Sequence, residues 1–497
     1  MLQPISFREF KLSAKKGNLI ALQKEILADL ETPVSAYLKT QNRATSSFLL
    51  ESVENGEKIG RYSFIGLYLK EYVELTHQGK IKSTKNIYTG NEKTTSDILK
   101  VIENHLKQCR LANRLELPPF CGGFTGFLSY ENVAVFEDIQ LAPKKYPTPY
   151  KSLFFLTHDF LVFDHMARTI RIVTICQTNA KNVSTLKKSY AQGIKKIDQI
   201  EKSLKKSLSA KTLPESRSKH KPMPNISRQM FEKNVERVKK YIRAGDVVQA
   251  VISQRFDLGT FNDPLSIYRA LRVVNPSPYM FLLKHKTTCL IGSSPEVHVK
   301  KTGRIAEVRP IAGTRKRGQT DEQDAVLEKE LVHSKKEQAE HLMLVDLARN
   351  DLGRVCEFHS IQVDNYAHVE KYSHVMHLVT NVTGKLRKNA SSCDLIRATF
   401  PAGTVSGAPK VRAMQIIDEL EKDGRGPYAG CLGYIGFSGD CDMCITIRTI
   451  IVEKGQASIQ AGAGIVFDSV PAHEYKETIN KAKALVRAVD LSQEALL

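Results

Sequence analysis

The chain contains no tryptophan, although it is 497 residues long. It also has no apolar run long enough to cross a bilayer, which argues against a membrane-spanning helix. Its first residues, 1–18, lack the apolar core and the small-residue cleavage site of a secretory leader. These absences predict a cytoplasmic protein, and the length allows two or three ordinary domains or one large composite domain.

Cysteines are few and dispersed. The nine cysteines stand singly, apart from Cys441 and Cys444. An odd, scattered set disfavours a disulfide framework and is typical of a reducing compartment. The spacing of Cys441 and Cys444 is only a weak zinc signal, because no second pair lies nearby to complete four ligands. Two thiols half-buried in a strand are the better interpretation.

Acidic residues are outnumbered by basic ones, which gives a formal net charge of +20. Such an excess occurs in nucleic-acid-binding proteins and around sites that attract small anions. Most of it lies in dispersed lysines with a cluster at 184–222, which is typical of a solvated surface. Because this cluster lacks regularly interleaved aromatics and any known binding motif, nucleic-acid binding is the less favoured hypothesis. No GxxxxGK[ST] motif occurs, which disfavours nucleotide hydrolysis.

A basic segment at 206–228, rich in Lys, Ser and Pro, predicts a linker or exposed loop. It separates a strand-rich N-terminal region, 1–205, from a C-terminal region, 229–497. Strands are expected in runs, with helices between the runs, so an α+β layered fold is favoured over a doubly wound parallel sheet. Apolar residues at helical spacing predict the longer helices at 95–108, 321–351, 408–422 and 471–490.

Two pairs of glutamates share one spacing. Glu337 and Glu340 lie three apart in a predicted helix, and so do Glu474 and Glu477 in another. Residues three apart are neighbours on a helix surface. The simpler interpretations are that Glu337 closes a capping box and that the second pair complements a helix dipole. Brought together, the four carboxylates would form an all-oxygen site suited to Mg²⁺.

Three glycine-containing stretches favour anion binding, at 310–318, 400–410 and 460–467. Arg448 lies in a predicted strand with apolar neighbours, where an arginine usually clamps a carboxylate. His377 also lies among apolar residues; it is either a core histidine with its hydrogen bonds satisfied or a general base facing a cleft.

Together these stretches resemble the chorismate-utilising enzymes, most closely the component I (large subunit) type of anthranilate synthase. The matching pieces are LLES, GRYSFIG, GGFTGFLSY, GDVVQAVISQRF, SSPE, PIAGTRKRG, EHLMLVDLARNDLGR, HVMHLVT, FPAGTVSGAPK, GPYAGCLGY, DMCITIRT and QAGAGIVFDSVPAHEYKET. They run in order and cover nearly the whole chain. The resemblance implies large layered antiparallel β-sheets flanked by helices, with the chorismate-binding catalytic domain at 229–497 and a tryptophan site in the 1–205 region.

The resemblance also implies a role for each matching residue. Mg²⁺ would be held by Glu340 and Glu477, with Glu337 and Glu474 supporting it directly or through water. Glu296 would be the general acid, His377 the base, and Thr404 would orient the substrate. The residues expected to bind chorismate are Gly313, Thr314, Tyr428, Arg448, Gly462, Ala463 and Gly464. The residues expected to bind tryptophan as a feedback inhibitor are Ser52, Pro278, Tyr279 and Met280.

Two positions discriminate within the family by analogy. Relatives that add water have a lysine where this chain has Gln249, and relatives that make aminodeoxychorismate have a lysine where it has Ala312. The resemblance therefore favours addition of ammonia to give anthranilate, the first step of tryptophan biosynthesis. Aminodeoxychorismate synthase and isochorismate or salicylate synthase are the alternatives. Because no glutaminase nucleophile motif occurs in the chain, a separate glutamine amidotransferase subunit is expected to supply the ammonia.

Overall fold

The computed structural model describes residues 1–41, 44–52, 60–87, 96–113, 117–178, 182–208, 221–261, 263–371 and 375–493. Most of these residues belong to two large antiparallel sheets and the helices around them. Within the described ranges, no helix is both long enough and apolar enough to cross a membrane.

The first sheet contains strands from both ends of the chain. Its strands, in spatial order, are β1 (Leu19–Leu27), β9 (Thr169–Gln177), β8 (Asp159–Asp164), β3 (Tyr62–Leu67), β2 (Ser46–Glu51), β12 (Tyr279–His285), β13 (Thr288–Ser294), β22 (Thr449–Glu453), β23 (Gln456–Ile465), β11 (Gln249–Thr260) and β10 (Met223–Pro224), with β19 (Gly407–Ala408) also paired to β11. Its N-terminal and C-terminal halves join where β2 pairs with β12, with Leu50 opposite Phe281.

The second sheet is built in the same mixed way. Its strands, in spatial order, are β16 (Ile311–Lys316), β18 (Val375–Lys385), β15 (Ile305–Val308), β14 (Val297–Thr302), β21 (Cys441–Ile445), β20 (Cys431–Gly436), β6 (Gly123–Leu128), β7 (Tyr150–Thr157), β4 (Tyr72–Thr76) and β5 (Ile81–Ser83), with β17 (Gln362–Lys371) also paired to β18. Here the two halves of the chain join where β6 pairs with β20.

Helices cover the sheets. They are α1 (Phe7–Ser13), α2 (Pro33–Gln41), α3 (Ile98–Lys107), α4 (Val133–Phe136), α5 (Val183–Leu204), α6 (Arg228–Arg243), α7 (Pro264–Val274), α8 (Asp321–His333), α9 (Lys335–Gly353), α10 (Ser392–Thr399), α11 (Lys410–Leu420) and α12 (Pro471–Leu491). The α+β class predicted from the sequence is confirmed.

The main core lies between the two sheets. One continuous cluster of buried residues includes Phe48 and Phe281 of the first sheet and Phe127 and Met443 of the second. A second cluster covers the other face of the first sheet, where α7 and α12 pack. Because both sheets combine strands from 1–205 and from 229–497, the two regions share a core. The proposed domain boundary at 206–228 stays a prediction. Residues 209–220 of this segment lie outside the described ranges.

Three details differ from the sequence-based expectations. The single helix predicted at 321–351 is two helices, because the Ser334 side chain accepts the amide of Glu337 and starts α9 anew. Gly462 and Gly464 lie inside strand β23, so most of the glycine-containing stretch 460–467 is strand. Gly313 lies in strand β16 at a bulge, where its φ of +64° requires glycine.

Candidate functional site

The two glutamate pairs interact electrostatically. Glu337 and Glu340 lie in the first turns of α9, and Glu474 and Glu477 lie in the first turns of α12, which Pro471 begins. Burial raises the pKa of Glu340, and the negative charges of Glu337 and Glu477 raise it further. Burial likewise raises the pKa of Glu474, with a further rise from Glu477. Carboxylates from two helices that are distant in the chain therefore share one electrostatic environment.

Basic side chains partly balance these charges. Lys481 Nζ lies 2.7 Å from Glu477 Oε1 and donates to the carbonyl oxygen of Gly462 at 3.0 Å. Arg315 Nη1 lies 3.1 Å from Glu337 Oε1. The Glu337 carboxylate thus binds Arg315, while only its amide takes part in capping the helix at Ser334. Helix capping therefore accounts for the backbone amide of Glu337 but not for its side chain.

The donor chemistry suits a hard divalent cation. All four side chains offer carboxylate oxygens, which are the ligands that Mg²⁺ prefers. In the part of the chain that the structure describes, no three acidic, histidine or cysteine side chains already lie close enough to hold a metal ion. However, the like charges around Glu340 are the kind of crowding that a bound cation relieves. The four residues therefore fit Mg²⁺ in donor type, but they do not form a finished ligand cage.

A buried carboxyl group lies beside a hydroxyl in the same region. Burial raises the pKa of Glu296 to about 8, against partial lowering by the Thr404 hydroxyl and by the charges of Arg448 and Lys481. Thr404 lies in a 3₁₀ turn, Gly403–Val405, and lines a small pocket together with Glu296. Glu296 is consequently protonated at neutral pH and able to donate a proton.

His377 and strand β16 are in direct contact. His377 Nδ1 lies 3.0 Å from the carbonyl oxygen of Gly313 and 3.1 Å from Thr314 Oγ1. Because a carbonyl oxygen only accepts, Nδ1 must carry the hydrogen, and a neutral ring then has its lone pair on Nε2. Burial is the main cause that lowers the pKa of His377, so the ring is neutral near pH 7. The register of β16 against β18 places Thr314 opposite His377.

The glycines of β23 allow close approach by neighbouring side chains. A Cβ on Gly462 would lie 2.6 Å from the Tyr428 hydroxyl oxygen, and a Cβ on Gly464 would lie 2.3 Å from Gln249 Nε2. Tyr428 and Gln249 are both buried. Among the described residues, Gln249 Oε1 has no hydrogen-bond partner. The segment Gly462–Gly464 therefore faces two polar side chains that larger residues would displace.

The backbone at Arg448 is not the strand that the sequence predicts. Arg448 lies between β21 and β22, not within a strand, and it is half-buried with a φ of +47°. Its carbonyl oxygen accepts the amide of Ser293 at 3.1 Å. Its positive charge acts on Glu296 and on His377. Arg448 thus still lies near both proposed catalytic groups, although the local backbone is a bend.

The four residues predicted to bind tryptophan line a cavity of about 660 Å³, which shares Val297 and Arg309 with the pocket of Glu296. Ser52 follows β2, and Pro278, Tyr279 and Met280 lie at the start of β12. Tyr279 Oη donates to Asp442 Oδ1 at 2.9 Å across the gap between the two sheets. The cavity is therefore enclosed by both sheets and bounded by polar as well as apolar side chains.

Lys481 and Arg425 are two residues at this site that the sequence analysis missed. Lys481 follows Glu477 by four residues on one helix face, so the helical spacing contained a signal for it. Arg425 is fully buried next to Tyr428, and its own stretch of sequence gives no sign of that burial.

Comparison with known proteins shows the family to which the chain is similar. The sequence model of the chorismate binding enzyme family matches residues 46–487. Anthranilate synthase component 1 of Acetivibrio thermocellus is 44% identical over 496 residues, covering 98% of each chain. The same component of Aquifex aeolicus (strain VF5) is 43% identical and covers 99% of each chain.

A solved structure gives the same result. The crystal structure of anthranilate synthase component I from Streptococcus pneumoniae TIGR4 aligns with a TM-score of 0.76 at 34% identity. The alignment covers 93% of this chain and 99% of that one. The resemblance predicted from the sequence motifs is confirmed over nearly the full length.

Proposed function

The chain belongs to the chorismate-binding enzyme family, and from this premise we propose that it acts as component I of an anthranilate synthase. It converts chorismate and ammonia into anthranilate, pyruvate and water. The observation that carries the proposal is the approach of Glu340 to Glu477 in the same region as the buried acid Glu296. Lys481 connects these groups, since its charge acts on both Glu296 and Glu340.

Chorismate has two carboxylates, and the site offers groups for both. Arg448, the Tyr428 hydroxyl and the backbone of Gly462–Gly464 bind one carboxylate. Glu340 and Glu477 would hold Mg²⁺, with Glu337 and Glu474 contributing directly or through water. The bound cation would supply charge neutralisation at the ring carboxylate and polarisation of the ring. Gly313 and Thr314 contact the substrate from strand β16.

In the first step, ammonia forms a C–N bond with the ring while the bond between the ring and its hydroxyl breaks. Glu296 donates its proton to the departing oxygen, which leaves as water, and the new ammonium group then returns one proton to the Glu296 carboxylate. Thr404 orients the substrate beside Glu296. The unpartnered Gln249 Oε1 accepts a hydrogen bond from the incoming ammonia, for which an amide suffices. A lysine at this position would suit the activation of water instead.

In the second step, the ring loses a proton and pyruvate. His377 Nε2 takes the proton from the carbon that carries the new amine, and the electron pair of that C–H bond restores the aromatic ring. The bond between the ring and the enolpyruvyl oxygen breaks with its electron pair on the oxygen, and the released enolpyruvate takes up one proton, equivalent to the one that His377 removed, to become pyruvate. The hydrogen bond from Nδ1 to the Gly313 carbonyl holds the ring in the tautomer that this step requires.

The partners follow from the same proposal. A glutamine amidotransferase subunit, component II, supplies ammonia, and L-tryptophan acts as a feedback inhibitor in the cavity at Ser52 and Tyr279. The proposal includes no nucleic-acid partner, and it places the enzyme in the cytoplasm.

The test is a product assay with purified protein, chorismate, an ammonium salt and Mg²⁺. Anthranilate fluorescence and pyruvate should appear together and in equal amounts. Omission of Mg²⁺ and the variant Glu296→Gln are the two controls, and each should abolish most of the signal. If isochorismate or aminodeoxychorismate accumulates as the only product, the proposed function is wrong.

A further inference from the structure

We propose that Arg425, paired with Glu421, is a positioning residue that holds the Thr404 turn and the Tyr428 ring in fixed relation to each other. The inference depends on the function proposed above for Thr404 and Tyr428. The proposed function assigns no chorismate contact to Arg425 or to Glu421.

Arg425 is buried and uses its guanidinium in several directions at once. Its side chain is 2% exposed, although it has charge and five N–H donors. Nε donates to Glu421 Oε2 at 2.9 Å, and Nη2 donates to Glu421 Oε1 at 2.8 Å. This two-point contact fixes the plane of the guanidinium.

The remaining donors reach two separate backbone segments. Nη1 donates to the carbonyl oxygen of Val405 at 2.8 Å, and Nη2 donates to that of Val251 at 2.6 Å. Val405 directly follows Thr404 in the 3₁₀ turn. The direction of the Val405 carbonyl therefore helps to set where the Thr404 hydroxyl lies in the pocket that Thr404 and Glu296 line together. That hydroxyl makes no hydrogen bond within the described part of the chain.

The faces of the guanidinium contact aromatic rings. Its central carbon lies 4.7 Å from the ring centroid of Tyr130 and 5.6 Å from that of Tyr428. Cations and aromatic faces attract at such distances. Tyr428 directs its hydroxyl toward Gly462, so a shift of Arg425 would move the wall of the proposed carboxylate site.

Glu421 extends the same connection to strand β11. Its Oε1 accepts the amide of Ser253 at 2.7 Å and the Ser253 hydroxyl at 2.9 Å. Ser253 is opposite Gly462 in the sheet register. One buried ion pair thus joins the Thr404 turn, the Tyr428 ring and the strand beside Gly462. A lysine has the charge but not the planar fork that reaches these partners together.

The experiment compares Arg425→Lys with wild type in the full chain. The variant should lose about ten- to a hundredfold in kcat, since small misplacements of catalytic groups have effects of this size. KM for chorismate should rise. The alkaline limb of the kcat profile should move to higher pH, because a displaced Thr404 no longer lowers the pKa of Glu296.

Two further variants make the result decisive. Glu421→Gln removes the charge but keeps the shape, and should shift the alkaline limb in the same direction; it carries the test if Arg425→Lys does not accumulate as folded protein. Arg397→Lys is the matched control, because Arg397 binds Asp97 Oδ2 through both Nε and Nη2 and neither residue is assigned to the site. It should lower the melting temperature at most.

The proposal is overturned if Arg425→Lys and Glu421→Gln melt at lower temperature yet keep the wild-type kcat, KM and alkaline limb. Hydrogen exchange of the amides at 403–408 gives a reading that does not depend on turnover. Faster exchange there in Arg425→Lys, with Arg397→Lys unchanged, supports the positioning role even if the wild type makes no anthranilate, a result that would reject the proposed function alone. Unchanged exchange rejects the positioning role.

Discussion

Glu340 near the start of α9 and Glu477 near the start of α12 interact through their charges, although long stretches of chain separate them. Glu340 is half-buried, and the carboxylate of Glu477 is among the causes that raise its pKa. The structure therefore brings like charges together, and Lys336 and Lys481 offset them only in part, since the pKa of Glu340 remains raised. Such an arrangement lowers the stability of the metal-free protein, and a bound cation would offset that cost.

The first prediction concerns the metal. Glu340→Gln and Glu477→Gln should each remove Mg²⁺ binding and the Mg²⁺-dependent activity, because each deletes one of the two central ligands. Glu337→Gln and Glu474→Gln should weaken Mg²⁺ binding by about ten- to a hundredfold, as expected for supporting groups. Isothermal titration with Mg²⁺ measures both effects. Glu330→Gln, on the exposed surface of α8, is the control and should bind Mg²⁺ normally. Full Mg²⁺ affinity in Glu340→Gln would refute the assignment.

The second prediction concerns the effect of pH on the same site. The pKa values of Glu340 and Glu474 are raised in the metal-free protein, and a ligand carboxyl must be ionised to bind a cation. Protons therefore compete with Mg²⁺ more strongly as the pH falls. The apparent affinity should decrease as the pH falls, and metal binding should release protons into the buffer. Titrations in buffers with different heats of ionisation detect that release, and a pH-independent affinity would argue against these ligands.

The third prediction concerns the proposed acid. The pKa of Glu296 is about 8, so its carboxyl is protonated below that pH and loses its proton above it. The activity of a general acid is present below its pKa, hence kcat should fall as the pH rises through about 8. Glu296→Gln should lower kcat by about 10² to 10⁴-fold and remove this alkaline limb. Glu232→Gln, on α6, should leave both unchanged. A Glu296→Gln enzyme with normal kcat would eliminate the acid role.

The fourth prediction concerns Thr404→Val, which tests the effect of the Thr404 hydroxyl while the Glu296 carboxyl is kept. The Thr404 hydroxyl lowers the pKa of Glu296, whereas burial raises it. Valine has nearly the same shape and lacks the hydroxyl, so the alkaline limb should move to higher pH while Glu296 stays in place. A pre-steady-state experiment is suitable, because it measures the rate constant of the chemical step at each pH. A limb that moves to lower pH would contradict the assigned contact.

Some of this site could be read from the sequence, and some could not. The glutamate pairs were visible because helical spacing is local, and the helices α9 and α12 formed where it predicted. Their meeting was not visible from spacing, since it depends on how two distant helices pack. The sequence also did not predict the bend at Arg448 or the bulge at Gly313, because the pairing of the surrounding strands sets the backbone conformation there. Arg425 shows the same limit, since its burial depends on segments from several parts of the chain.

The last prediction concerns the cavity at Ser52, Tyr279 and Met280. Because the protein has no tryptophan of its own, the fluorescence of added L-tryptophan can be followed without background from the chain. Binding should enhance or quench that fluorescence and inhibit anthranilate formation over the same concentration range. Ser52→Phe fills part of the cavity, so it should abolish both signals while kcat without inhibitor stays within about twofold, as expected for a site apart from the chemistry. Ser184→Phe, at an exposed position early in α5, is the matched control and should bind tryptophan as the wild type does. If Ser52→Phe still binds tryptophan normally, the inhibitor occupies another place, whereas loss of binding together with loss of turnover would mean that the cavity supports the catalytic site itself.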